Sequence, residues 1–138
     1  MVNKIVREYQ IVAGRKFSVP LCSVFLLTAA RRTEVVGMVD SGADRSIFHE
    51  KIAEDAGIDL SGAPVESLQY GSGRTTGRVR WVWMDFGPET RRIEIEVLFV
   101  KELHLHAAWL GRVGFFDQFN EVAFLQRKTK TPRVELRW

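Results

Sequence analysis

The sequence contains little cysteine and proline, and it has no long hydrophobic run. Of its 138 residues, one is a cysteine, Cys22, and four are prolines. A single thiol can form neither an internal disulfide nor a four-thiolate metal site, which excludes the small disulfide-rich and zinc-ribbon classes. The longest apolar segment, residues 19–30, is shorter than the ~18 residues that a membrane-spanning helix needs. Since Glu8 and Gln10 stand where a secretion signal requires apolar residues, we expect a cytoplasmic protein without membrane association.

The sequence also lacks a strong excess of one charge. It has 20 lysines and arginines against 17 aspartates and glutamates, which gives a formal net charge of +3. Two loose basic groups are present, one formed by Arg74, Arg78 and Arg80 and the other by residues 127–133. Such groups occur in nucleic-acid-binding proteins, but they are more common on solvated turns and on the outer faces of strands. The charge therefore gives no reason to predict a nucleic-acid partner.

Length and composition are those of a globular domain. Hydrophobic residues make up 46% of the chain and charged residues 27%, which excludes disordered and collagen-like classes. A chain of this length corresponds to roughly one domain. We predict a single domain over residues 1–138.

Most of the chain has the pattern of short β-strands separated by turns. β-branched and apolar residues either cluster or alternate with polar ones, as in buried and half-buried strands. Residues 35–39 are apolar without alternation, so we expect them to be buried on both faces. Many short strands at regular spacing predict an all-β fold, built as a small closed barrel. The predicted strands cover residues 5–6, 11–12, 19–28, 35–39, 65–70, 79–86, 93–97, 121–125 and 133–138.

Two segments have helical character and one is rich in glycine. Apolar residues recur at helical spacing over residues 46–56, and Gly57 follows as a stop signal. Residues 113–120 are a candidate second short helix. Residues 71–77 contain three glycines between two predicted strands, which predicts a hairpin with a mobile tip.

One segment, Val-Gly-Met-Val-Asp-Ser-Gly-Ala-Asp at positions 36–44, places a carboxylate in a crowded turn. Asp40 follows the apolar strand directly; Ser41 can hydrogen-bond locally, and Gly42 allows another stretch of backbone to approach closely. A carboxylate in such a place is costly unless it is paired or protonated. Asp-Ser-Gly alone is ordinary turn chemistry. The buried strand before it and the helix after it favour a reactive carboxylate at Asp40.

At this point the sequence resembles a known family. Residues 38–44 resemble the active-site motif of the retropepsin-like aspartic proteases: two apolar residues, Asp, Ser or Thr, Gly and Ala. Residues 109–112, Trp-Leu-Gly-Arg, are similar to a later apolar-apolar-Gly motif, which crosses behind the catalytic loop in this family. Residues 114–120 resemble the helix and turn of bacterial single-domain members, and residues 70–74 stand where the family has its flap hairpin. The resemblance extends over about residues 18–136 and implies a closed acid-protease-type β-barrel with a flap hairpin.

The resemblance implies an aspartic endopeptidase that uses neither a metal nor an organic cofactor. Hydrolysis by carboxylates needs two of them around one water, and this chain has one such motif, since Asp59 and Asp85 lack either the preceding buried strand or the following hydroxyl residue. The second Asp40 would therefore come from a twofold-related subunit, so the active form is expected to be a homodimer. Residues 1–10 and 133–138 are candidate strands for an intersubunit sheet.

The same resemblance assigns roles to individual residues. Asp40 would act as the acid/base group, and an apolar groove would favour hydrophobic side chains of a peptide or protein substrate beside the scissile bond. We further predict an ion pair between Asp44 and Arg112, which would join the catalytic loop to the later motif. The implied catalytic residues are Asp40, Ser41 and Gly42, the implied substrate-binding residues are Ala43, Asp44, Gly71, Ser72, Gly73 and Arg74, and Gly111 and Arg112 would give structural support.

Other interpretations remain open. A non-catalytic dimer of the same fold would bind peptide or nucleic acid; Arg74 in the hairpin favours this alternative, whereas the intact Asp40 motif opposes it. A nucleic-acid-binding barrel unrelated to proteases would bind with a steep dependence on salt. His104 and His106 share a strand face but lack a third ligand at a recognisable spacing, so we predict no metal site.

Two tryptophans, Trp81 and Trp83, are interpreted as structural residues. Trp81 and Trp83 are two residues apart and therefore lie on the same face of a predicted strand. We interpret them as part of the core or of an interface, in preference to a platform for stacking bases.

Overall fold

The computed structural model of the protein describes residues 3–12, 14–103, 107–127 and 130–138. Within these ranges the chain is mostly strand, as predicted, and none of the helices is long and apolar enough to cross a membrane. The strands are β1 (Lys4–Glu8), β2 (Gln10–Ile11), β3 (Ser18–Val19), β4 (Leu21–Leu27), β5 (Arg32–Val39), β6 (Ser46–His49), β7 (Val65–Tyr70), β8 (Gly73–Phe86), β9 (Glu89–Val100), β10 (Ala108–Leu110), β11 (Glu121–Arg127) and β12 (Lys130–Arg137). The α-helix is α1 (Glu50–Ala56), and a 3-10 turn covers Phe116–Gln118.

Six strands close into a barrel. Their order is β4-β5-β10-β6-β9-β8, and the ring closes where β8 pairs with β4, with Asp85 opposite Phe25. Strand β10 runs parallel to β5, and β6 runs parallel to β9, whereas the other pairs in the ring are antiparallel. Strand β7 pairs with the first part of β8 and forms a hairpin that extends from the ring. The predicted closed barrel with a hairpin is confirmed.

Alternating side chains of the ring strands fill the barrel. Val24 and Leu26 of β4 and Val82 and Met84 of β8 are almost fully buried, while their neighbours along each strand face outward. Burying one such aliphatic side chain contributes roughly 1.5–3 kcal/mol to folding. A smaller second cluster packs against the partly buried Leu68, Leu103 and Trp109, and it consists of Ile47, Val79, Leu98 and Val100.

The prediction that residues 35–39 are buried on both faces is wrong. Val35 and Val39 are buried, but Val36 between them is 43% exposed. Strand β5 belongs to a closed ring, and the outer side of such a strand faces solvent even where its residue is apolar.

The helix begins four residues later than the sequence predicted. Ser46–His49 forms β6, because β9 and β10 supply hydrogen-bonding partners on both of its edges. Helix α1 starts at Glu50, and the Nδ1 atom of His49 accepts a hydrogen bond from the Lys51 amide at 3.0 Å. Gly57 ends the helix as predicted, in the left-handed conformation with φ of +75°.

The second predicted helix, over residues 113–120, is a single 3-10 turn at Phe116–Gln118. Gly114 has a φ of +97°, which no α-helical residue adopts, so the remaining segment is too short for a regular helix. Phe115 and Phe119 pack against each other with 5.4 Å between their ring centroids and hold this turn against the core.

The turn of the glycine-rich hairpin is shorter than predicted. Only Gly71 and Ser72 lie between the paired residues Tyr70 and Gly73, and the following residues belong to β8. Gly77 has a structural role in β8, since a Cβ atom at this position would lie 2.5 Å from the carbonyl oxygen of Phe99.

A three-stranded antiparallel sheet, β1-β12-β11, lies beside the barrel strands. Residues 4–8 and 133–137, which belong to the candidate intersubunit segments, pair with each other within one chain. Glu135 in the central strand is only 2% exposed, and it accepts hydrogen bonds from Arg133 Nε at 2.6 Å and Arg137 Nη2 at 2.5 Å. The two guanidinium groups thus compensate the charge of a buried carboxylate.

The Glu135 carboxylate is expected to stabilise the fold in a pH-dependent way. Hydrogen bonds from Arg137 and then Arg133 lower its pKa from 4.5 to about 2. A lowered pKa in the folded state gives stability that is fully present above pH 4.5 and is lost as the pH falls through about 2. Glu135→Gln should therefore lower the free energy of unfolding at neutral pH. The loss should be limited to about 1–2 kcal/mol, because both arginines remain partly solvated.

Urea denaturation of the wild type and of Glu135→Gln, measured from neutral pH down to pH 2, tests this expectation. The difference between the two proteins should shrink across the acid range. A difference that stays constant at all pH values would contradict the assignment of the stabilisation to the ionised carboxylate.

Candidate active site

Asp40 lies immediately after β5, at the start of a tight turn. Its amide donates a hydrogen bond to the Leu110 carbonyl at 3.0 Å, and its own carbonyl accepts one from the Ala43 amide at 3.2 Å. The Gly42 amide donates to Asp40 Oδ1 at 2.8 Å, so the loop orients the carboxylate that it carries. The close approach of this oxygen, 3.2 Å from where a Cβ of residue 42 would lie, is the reason that glycine suits the position.

The Asp40 loop, residues 40–45, is tied to residues 110–113 along most of its length. The amides of Arg112 and Val113 donate to the carbonyls of Ala43 and Asp44 at 2.9 and 2.8 Å. The predicted ion pair between Asp44 and Arg112 is present, but both side chains are mostly exposed, so it adds little stability by itself. The backbone hydrogen bonds therefore do most to fix the loop.

Gly111 and Ser46 complete this contact from behind the loop. The amide of Gly111 donates to the buried hydroxyl of Ser46 at 3.1 Å. A Cβ atom on Gly111 would lie 2.3 Å from the carbonyl oxygen of Arg45, which is far inside the van der Waals distance. A side chain at position 111 and the observed path of the Asp40 loop are thus incompatible.

The Asp40 loop forms one wall of a cleft with a volume of about 660 Å³. The opposite wall comes from β7 and the hairpin turn, and much of the surface between them is apolar. This size lies in the range of clefts that bind small molecules or several side chains of a peptide. The lining residues are Asp40, Gly42, Ala43, Asp44, Arg45, Ile47, Ser67, Leu68, Gln69, Tyr70, Gly71, Leu103 and Trp109.

The hairpin contributes fewer residues to the cleft than the sequence predicted. Gly71 lines it, together with Tyr70, whereas Ser72, Gly73 and Arg74 do not. Arg74 is exposed at the start of β8.

The sequence-predicted residues thus fall into three groups. Asp40, Gly42, Ala43, Asp44 and Gly71 meet in the cleft, Gly111 and Arg112 lie behind the Asp40 loop, and Ser41 and residues 72–74 are outside the cleft lining. The side chain of Ser41 is exposed and makes no hydrogen bond to the described part of the chain.

Arg45 is the cleft residue that sequence reasoning missed most clearly. Its Nη2 atom donates to Glu66 Oε2 of β7 at 2.8 Å and to Glu96 Oε1 of β9 at 3.0 Å. One guanidinium therefore joins the Asp40 loop to the hairpin strand and to the barrel wall. No local pattern in the sequence signals this contact, because its partners are 21 and 51 residues away.

Asp59 and Asp85, the two aspartates that lack the full Asp40 motif, have structural roles. Asp59 caps a turn by accepting hydrogen bonds from Ser61, whose hydroxyl lowers its pKa, and Asp85 pairs with Arg32 at 2.7 Å. Both lie outside the cleft. His104 and His106 lie outside the residues that the structure describes.

Comparison with known proteins finds a similar fold among solved structures. No protein-family model matches the chain, and no curated protein is similar to it in sequence. Among solved structures, a retropepsin-like aspartic protease from Rickettsia conorii superposes with a TM-score of 0.66 at 17% identity. The superposition covers 100% of this chain and 92% of that one. The protein therefore has a retropepsin-like fold.

Proposed function

We propose that the protein is an aspartic endopeptidase that is active as a homodimer, with one Asp40 from each subunit at the reactive centre. The observation that carries this proposal is the position of Asp40: its carboxylate is oriented by the Gly42 amide at 2.8 Å and faces a large cleft, with a hairpin on the opposite side. The retropepsin-like fold supports the same conclusion, since it is the fold of the similar aspartic protease.

The composition of the cleft supports the requirement for a second subunit. Acid-base hydrolysis of a peptide bond uses one carboxylate as the base and another as the acid. Among the described residues that line the cleft, Asp44 is the other acidic one, and its carboxylate is paired with Arg112. The exposed side of the loop at Ser41 offers a surface on which a twofold-related Asp40 loop could approach.

In the proposed dimer the two Asp40 carboxylates would share one proton, because two such groups in contact cannot both be ionised. The ionised carboxylate would accept a proton from a water as that water attacks the peptide carbonyl carbon. The protonated one would donate its proton to the carbonyl oxygen, which gives a neutral tetrahedral intermediate. Closure of the hairpin over the bound segment would exclude bulk water.

The apolar part of the cleft supports a preference for hydrophobic side chains beside the scissile bond. Ile47, Leu68, Leu103 and Trp109 line the cleft near Asp40. Burial of a substrate side chain against them gains roughly 25 cal/mol per Å² of apolar surface. Cleavage sites with charged residues on both sides of the bond would contradict this preference.

Mass-spectrometric profiling of a diverse peptide pool from acid to neutral pH tests the proposal. The wild type and Asp40→Asn should be compared at a concentration that favours dimers. We expect cuts by the wild type that are missing with the variant. If a folded dimer makes no Asp40-dependent cut at any pH, the non-catalytic alternative, a dimer that binds peptide or nucleic acid, replaces the peptidase.

A further inference from the structure

Two exposed tryptophans lie on the outer face of β8 and do not line the catalytic cleft. Trp81 is 63% exposed and Trp83 47%, whereas Val82 between them points into the core. The sequence left core and interface open for this pair, and the structure excludes the core. Large aromatic side chains on the surface commonly mark binding sites, because their burial by a partner gains much free energy.

A second cleft, of about 430 Å³, lies beside Trp81. We refer to it as the Trp81 cleft. Two acidic side chains from different strands, Glu66 of β7 and Glu96 of β9, line this cleft together with the indole, and Glu96 stands directly opposite Trp81 in the β8–β9 register. The lining residues are Pro64, Glu66, Val79, Arg80, Trp81 and Glu96.

Two carboxylates, those of Glu66 and Glu96, line the Trp81 cleft beside the side chain of Arg80, and each carboxylate keeps one oxygen available to a ligand. Glu66 and Glu96 share a single guanidinium, that of Arg45, and each uses only one of its two oxygens in this contact. The remaining oxygens, Oε1 of Glu66 and Oε2 of Glu96, accept no hydrogen bond from the described part of the chain. The two side chains are 47% and 42% exposed, so an approaching group can reach them.

The one basic residue that lines the Trp81 cleft is directed elsewhere. The guanidinium of Arg80 donates to the carbonyls of Asp59 and Ser61, at 3.0 Å in each case. These contacts hold its charge against the loop after α1. The indole face and the free carboxylate oxygens are therefore the groups that the cleft presents to a ligand.

We propose that the Trp81 cleft binds a lysine or arginine side chain of a peptide. The cation would stack on the indole of Trp81, and Glu66 and Glu96 would compensate its charge. Its hydrocarbon stem would contact Pro64. The free carboxylate oxygens accept hydrogen bonds from a cation and offer no donor to a phosphate group. Arg45 lines the catalytic cleft and binds both glutamates of the Trp81 cleft, so one guanidinium links the two clefts.

Binding at the Trp81 cleft does not require catalysis, so it can be tested on the Asp40→Asn protein. The probe is a short peptide with one central arginine in an otherwise neutral sequence, and the matched probe carries citrulline, which has the same shape without the charge. Nuclear magnetic resonance follows the indole N–H signals of the four tryptophans, each assigned from its Trp→Phe variant. We expect the arginine peptide to shift the Trp81 signal saturably, more weakly at high salt, and the citrulline peptide to leave it unchanged.

Two charge-neutralising variants locate the site. Glu66→Gln should weaken the binding of the arginine peptide about two- to fivefold, the range for a partly exposed ion pair. Glu94→Gln is the matched control, since Glu94 stands opposite Trp83 and is outside the Trp81 cleft, and it should leave the affinity unchanged.

Several results would overturn the proposal. They are equal shifts with the citrulline peptide, an equal loss of affinity in Glu94→Gln and Glu66→Gln, or no shift of the Trp81 signal at millimolar arginine peptide. A single-stranded oligonucleotide that moves this signal where the arginine peptide does not would assign the face to nucleic acid instead. None of these outcomes depends on whether the protein cleaves peptides.

Discussion

Asp40→Asn is expected to reduce peptide cleavage by about a thousandfold or more, because removal of an acid/base group typically costs a factor of about 10²–10⁴ and both members of the pair are lost in a dimer of the variant. The fold should remain intact. The hydrogen bond from the Gly42 amide goes to Oδ1 of Asp40, and an asparagine can accept it with its own side-chain oxygen. The variant thus separates chemistry from structure.

Asp59→Asn is the matched control for this substitution. Asp59 also precedes a Ser-Gly pair, with one residue in between, and its Oδ1 accepts a hydrogen bond from the Ser61 amide at 2.9 Å. It lies outside the cleft, so its replacement should leave cleavage unchanged. Initial rates on a peptide identified from the pool, with circular dichroism of each variant, provide the measurement. Substantial cleavage by folded Asp40→Asn would contradict the assigned role.

Gly111→Ala is expected to destabilise the fold by at least about 3 kcal/mol, at the upper end of the range for overpacking. The added Cβ would lie 2.3 Å from the Arg45 carbonyl oxygen and 2.4 Å from its carbonyl carbon. Both atoms belong to backbone, so no side-chain rotation can relieve the overlap. The Asp40 loop and the end of β10 would have to separate, with loss of the Gly111–Ser46 hydrogen bond.

Gly73→Ala is the matched control for that substitution, because both replacements reduce the entropy of the unfolded chain equally. The nearest atoms to a Cβ at position 73 belong to the ring of Tyr70, at 3.1 Å, and an exposed side chain of this kind can move. Thermal denaturation should show a melting temperature lower by roughly 10 °C for Gly111→Ala and little change for Gly73→Ala. Equal stability of the two variants would show that the loop tolerates a side chain at position 111.

Those parts of the fold that depend on local pattern could be predicted from the sequence. The strand character of β4 and β8, the glycine that ends α1 and the strand-turn-strand pattern of the hairpin all have local causes. The resemblance of residues 38–44 to an aspartic protease motif predicted the turn at Asp40. The later motif predicted the ion pair between Asp44 and Arg112. The assignment of Asp40, Ser41 and Gly42 as catalytic residues stays a prediction, as do the single domain and the cytoplasmic location.

The parts that depend on distant neighbours could not be predicted. The apolar residues that begin in Ser46–His49 recur at helical spacing. The segment nevertheless forms a strand, because β9 and β10 pair with its two edges. Val36 is apolar, yet barrel closure places it outside. Arg45 joins the two clefts through contacts that span 21 and 51 residues, and the exposure of Trp81 follows from the register of β8 in the ring.

A mixing experiment shows whether each reactive centre needs Asp40 from two subunits. Wild type and Asp40→Asn are refolded together in varying proportions at constant total concentration, so that subunits combine at random. If a centre needs both carboxylates, activity follows the square of the wild-type fraction, and an equal mixture retains about one quarter of the wild-type activity. Activity in direct proportion to the wild-type fraction, about one half at equal amounts, would mean that one subunit suffices and would contradict a reactive centre shared by two subunits.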